Sequence, residues 1–128
     1  MPFSESNDSV MQRFKVTERD LDSHCRAILV EGELDLAVAE RLDDALAKAA
    51  TECDRVLVGL ERCDFIDSSG IAVILRARTR MEDEGKRLAV YGPTAQVLRV
   101  LSMTGLTGNG LVFDSADEAM AALGEPAA

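Results

Sequence analysis

RVLVGLERCDFIDSSGI, residues 55–71, joins a short apolar run to a polar turn and then to the start of a second apolar pattern. Arg55 to Leu60 is short, rich in β-branched residues and bounded by charges, which suits a strand buried on both faces. Phe65 and Ile66 lead into Asp67-Ser68-Ser69-Gly70. From there Ile71, Ile74, Leu75, Arg78 and Met81 recur at helical spacing, with one basic interruption. Gly85 stands where a helix C-terminus wants a glycine. Downstream the same alternation repeats. Leu88 to Tyr91 reads as a buried strand, and Gly92-Pro93 turns the chain, with Pro93 suited to a first helical turn. Val97, Leu98, Leu101 and Met103 carry a helix to Gly105. Leu111 to Phe113 is a short last strand. Ser115 caps a last helix through Leu123, with Asp117 and Glu118 in the first turn, where the dipole favours acids.

Strand, helix, strand, helix, strand, helix demands right-handed crossovers and mostly parallel pairing. Upstream, Phe14 to Thr17 is a short candidate strand. Arg26 to Val30 is a stronger one, ended by a break at Gly32. Ala37 to Ala50 is rich in Ala, Leu, Glu and Lys, which suits a helix. Its apolar residues Val38, Leu42, Ala45, Leu46 and Ala49 share one face, and Asp35 sits where a cap belongs. No helix separates the first two strands, so they are expected to pair as a hairpin or meander edge. The expected architecture is α/β: a single domain over residues 11–123, with a small mixed, mostly parallel β-sheet and helices packed on it. Tails are expected over 1–10 and 124–128.

The chain has 128 residues, one domain's worth, with 47% apolar and 29% charged residues. Fourteen basic against 23 acidic side chains give a net charge of −9. That balance disfavours phosphate neutralisation on nucleic acid and adsorption to an anionic membrane. No apolar run approaches the ~20 residues of a membrane span. Residues 1–10 have neither the basic nor the apolar region of a secretory signal. Three cysteines, Cys25, Cys53 and Cys63, are an odd number without metal-type spacing, so a reducing cytoplasm is the simplest compartment. Trp is absent and aromatics are 4%, which leaves no stacking platform for single-stranded nucleic acid. The acidic excess lies mainly in the half that carries Asp35, Asp64 and Asp67. It reads either as plain solubility or as a patch that docks on a basic partner.

Ser68 is expected at a helix N-terminus, among unpaired backbone N–H groups that favour a phosphate. The plainer reading is capping, with Asp67 or Ser68 as the N-cap and Gly70 as a small residue in the first turn. A nucleophilic Ser68 needs a general base. His24, the single histidine, has charged and polar flanks that suit an exposed strand edge, and no Gly-x-Ser-x-Gly elbow is present. Asp64 and Asp67 lack a third ligand for a metal, and no cofactor motif appears. Gly108-Asn109-Gly110 is a turn by composition and is followed by a strand, which does not suit a phosphate-cradling loop. Cys63, four residues before Asp67, reads as a small packing residue, with redox modulation of the site as the lesser reading.

FIDSSGI, preceded by VLVGL and followed by AVILRART, resembles the signature of STAS domains, and more narrowly of bacterial anti-sigma-factor antagonists. Gly32-Glu33-Leu34-Asp35 resembles the turn after that family's early strands. Val100-Leu101-Ser102-Met103-Thr104-Gly105-Leu106 resembles its late loop. The likeness runs from about Phe14 to Leu123. It implies a STAS-like fold and a regulatory protein, not an enzyme. The unphosphorylated form would bind an anti-sigma factor, itself a serine kinase, and so release a sigma factor. Phosphorylation on Ser68, directly after Asp67, would switch binding off, and a phosphatase would restore it. The partner-binding residues implied are Asp35, Asp67, Ser68, Ser69 and Gly70. Gly59 departs from the family, which usually carries Asp or Asn near that strand end, and so puts polar contacts there in doubt. An alternative within the fold is a STAS subunit of a stress-sensing or lipid-transport assembly without a phospho-switch.

Overall fold

The computed structural model describes residues 14–124. The tails expected over 1–10 and beyond Gly124 lie outside the described residues. β1 (Lys15–Asp22) and β2 (Cys25–Leu34) form an antiparallel hairpin. The chain then alternates through α1 (Leu36–Glu52), β3 (Arg55–Ile66), α2 (Ser68–Asp83), β4 (Arg87–Tyr91), α3 (Ala95–Met103), β5 (Val112–Phe113) and α4 (Ala116–Gly124). Strands β2 to β5 pair in parallel, and the five strands lie in chain order.

That order explains the layers. Crossovers of one hand between neighbouring strands fall on one face of a sheet. Helices α1, α2 and α3 accordingly share a core with Val56, Val58 and Leu60 of β3, through Leu42, Leu46, Ile74, Met81, Val97 and Leu101. The last helix follows no further crossover and covers the other face, where Ala119 and Leu123 meet Ala27, Leu57, Ala89 and Tyr91. The parallel strands alternate between these two cores, which is why they read as continuous apolar runs.

Five expectations need correction. Gly32 does not end β2: it adopts φ 98° within the strand, beside a register shift against β3. A bulge absorbs the glycine, and pairing continues to Leu34. β3 runs to Ile66 rather than stopping at Leu60. Beyond Gly59 it pairs only with β2, because β4 ends at Tyr91 opposite Gly59. Exposed Glu61, Arg62, Asp64 and Phe65 are therefore tolerated there, while Cys63 and Ile66 point inward. Pro93 lies outside the next helix, which starts at Ala95 with Thr94 as its N-cap: the Thr94 Oγ1 accepts from the Val97 amide at 3.3 Å. Met103 belongs to no apolar stripe, since it is 80% exposed at the end of α3. Gly124, expected in the tail, is the last residue of α4.

Gly59 has a packing reason. A Cβ there would lie 2.6 Å from the Tyr91 hydroxyl, 2.7 Å from Tyr91 Cζ and 2.9 Å from Leu29 Cδ2. The Tyr91 side chain already fills the place where a larger residue would sit. Gly59→Ala is expected to cost about 2 kcal/mol through overpacking. In a Tyr91→Leu background the cost should shrink, because residues in contact are not additive. Urea unfolding of the double-mutant cycle measures this, and full additivity would refute the steric account.

Candidate functional site

Two helices start side by side at the C-terminal edge of the parallel strands. β2 ends at Leu34 and β3 at Ile66, which are register partners. Asp35 and Asp67 follow them as the N-caps of α1 and α2. Their backbones are nearly identical, at φ −117°, ψ −175° and φ −113°, ψ −175°. The Asp67 amide donates to the Leu34 carbonyl at 3.2 Å, which ties the two caps together. An aspartate in extended geometry before a helix places its carboxylate over the free amides of the first turn. Asp35 Oδ1 accepts from the Ala37 amide at 3.1 Å. Asp67 Oδ1 accepts from Ser69 at 2.8 Å and Gly70 at 3.2 Å.

The open choice of cap is thereby decided for Asp67. Ser68 becomes the first residue of α2, and its side chain is exposed. Ser69 is half-buried and Gly70 is buried. Gly70 therefore shapes this surface from beneath. A Cβ on it would meet Leu34 Cγ at 2.6 Å and Ile66 Cγ1 at 3.1 Å. The glycine lets the first turn of α2 settle onto the ends of β2 and β3.

Ser68 and Ser69 open onto a groove between α1 and α2, lined from α1 by Leu36, Glu40 and Asp43 and from α2 by Ala72 and Arg76. Leu36 is 76% exposed and Phe65, just before the cap, is 40% exposed. Sequence reasoning missed Leu36, Glu40, Asp43 and Arg76 as neighbours of the serines. The signal for Leu36 was an apolar residue directly after a cap, beyond the edge of the sheet. For the others there was none, because the groove is made by two helices brought together only by folding.

The remaining candidates lie elsewhere. His24 occupies the β1–β2 turn and its carbonyl accepts from the Arg55 amide, at the opposite end of β3 from Ser68. A twelve-residue strand spans roughly 35 Å, so no serine–histidine pair exists here. Among the described residues no group of three or more His, Cys, Asp or Glu is placed to hold a metal ion. None of the helices among those residues is long and apolar enough to cross a membrane. Asn109 is held by one long-range and one local bond: its carbonyl accepts from Arg78 of α2 at 3.0 Å and its side chain from the Leu111 amide at 3.3 Å. Cys63 is buried beneath the site. Burial pushes its thiol pKa up, against a smaller opposing effect of its 3.3 Å contact with the Phe65 carbonyl. A thiol held protonated is a poor nucleophile, which favours the packing reading.

The family model described as "Mlab, STAS domain" matches residues 17–113. The anti-sigma F factor antagonist of Paenibacillus polymyxa is 29% identical over 107 residues, covering 78% of this chain and 90% of that protein. An anti-sigma factor antagonist from Mycobacterium paratuberculosis superposes with a TM-score of 0.79 at 19% identity, covering 88% of this chain and 95% of that one. A Bacillus cell fate determinant in its phosphorylated form superposes with a TM-score of 0.67 at 22% identity, covering 84% and 97%.

Proposed function

The chain belongs to the STAS domain family, and on that premise we propose that it is an anti-sigma factor antagonist switched by phosphorylation of Ser68. The unmodified protein binds an anti-sigma factor that is also a serine kinase, through the surface around Asp35, Asp67, Ser68 and Ser69. Binding frees a sigma factor in the cytoplasm, where transcription is controlled. The kinase then passes the γ-phosphoryl group of ATP to Ser68 Oγ. The bond to the β-phosphate breaks, the hydroxyl proton is released, and ADP leaves. A phosphatase reverses the modification by hydrolysis.

One observation carries this reading: Ser68 is the exposed first residue of α2, directly after a cap that is already occupied by Asp67. Its hydroxyl is thus free for chemistry without loss of the capping bonds. The likeness to named antagonists and to a phosphorylated relative supports the reading. Only a hydroxyl that reaches the kinase is modified, so exposed Ser68 and half-buried Ser69 are distinguishable. Incubation with the anti-sigma kinase of the same genome and ATP, followed by mass spectrometry, tests it. Wild type and Ser69→Ala are expected to gain one phosphate, and Ser68→Ala none. Modification of Ser68→Ala at the wild-type rate would overturn the site. Stable binding without modification of either serine would favour the assembly-subunit reading.

A further inference from the structure

Ser68, Ala72 and Arg76 lie at i, i+4 and i+8 of α2, one above another on the face that lines the groove. Eight residues of helix place the α-carbons of Ser68 and Arg76 about 12 Å apart. Long side chains on a helix lean toward its N-terminus, over the preceding turn. From position 76 that lean runs along the groove toward Ser68, and the methyl of Ala72 leaves the way open. Arg76 is exposed and forms no hydrogen bond or ion pair among the described residues. Its neighbour Arg78 is engaged, with the Asn109 carbonyl and with Glu82 at 3.3 Å. Across the groove stand Glu40 and Asp43, and Asp43 Oδ1 is buried without a hydrogen-bond partner. The groove thus holds a guanidinium that faces acids without being locked to either.

We propose that Arg76 is the counter-ion of the phosphate on Ser68, and that modification draws its guanidinium along the groove and holds it there. The inference rests on the reading of Ser68 as the modified residue. Its consequence is that phosphorylation acts twice on the surface. It adds negative charge beside Asp35 and Asp67, and it withdraws the cation that an acidic group of the partner would otherwise meet. Arg76 is a positioning residue for the phosphate and takes no part in its transfer.

The test uses the full chain with phosphoserine incorporated genetically at position 68, so that no kinase is needed. Phosphorus NMR follows the second ionisation of the phosphate, which ordinarily falls near pH ~6. Asp35, Asp67, Glu40 and Asp43 face the phosphate in every variant and cancel in the comparison. Arg76→Gln is expected to raise the midpoint by about half a unit, roughly threefold in the proton affinity, as for one exposed ion pair. Arg76→Lys should restore part of the shift, and Arg80→Gln, one turn further on, should leave the midpoint where it was. An unchanged midpoint in Arg76→Gln, or an equal rise in Arg80→Gln, would overturn the proposal. If the midpoint moves while the kinase never modifies Ser68, the counter-ion role stands and the switch falls.

Discussion

Phosphoserine at position 68 is expected to weaken binding to the anti-sigma factor by about a hundredfold, or ~3 kcal/mol. The modification brings ~1.5–2 negative charges and three acceptor oxygens to a surface that already carries two capping aspartates. A partner that closes over this surface must desolvate the dianion and accept its repulsion of nearby acids. The change requires no refolding, since Ser68 is exposed and Asp67 continues to cap α2. Ser68→Asp should lose less than the phosphoprotein, because a carboxylate has one charge and a planar shape. Ser68→Ala should bind as the unmodified protein does and resist inactivation. Its stability should stay within about 0.5 kcal/mol of wild type, as for other surface substitutions. Titration calorimetry on the purified pair measures these affinities. A phosphoprotein that binds as tightly as the unmodified one would end the switch account.

The second large effect is on stability. Gly70→Val should cost about 3 kcal/mol in urea unfolding. Its Cβ alone would stand 2.6 Å from Leu34 Cγ and 2.9 Å from Leu34 Cδ2. Leu34 is fully buried and cannot swing into solvent. Overpacking of a filled core typically costs ~1–3 kcal/mol, and the branched side chain adds two methyl groups to the clash. Relief requires the first turn of α2 to lift off the strand ends, which would also disturb the Asp67 cap and Ser68. Gly70→Ala should follow the same direction with a smaller cost. A Gly70→Val protein as stable as wild type would show that this approach of helix to sheet is not tight.

What the sequence determined by itself is what depends on near neighbours. Helical stripes in α1 and α2, the buried runs of β3 and β4, the Asp35 cap, the glycine after α2 and a serine at a helix start are all set within a few residues. Their periods and caps follow from backbone geometry, so they were legible before any fold was known. A likeness spread over three separated segments then pointed to one family, because its motifs mark the ends of elements that any such sheet must place together. Folding alone decided the rest. The bond from Asp67 to Leu34, 33 positions away in the chain, sets the two caps side by side. Tyr91 fills the space beside Gly59 from the neighbouring strand. The outer half of β3 survives its polar residues because only β2 must pair with it. Arg76 becomes a neighbour of the acids Glu40 and Asp43 only when α1 and α2 pack into a groove. In each case the deciding contact joins residues far apart in sequence, and no local pattern encodes which distant side chain will occupy a given space.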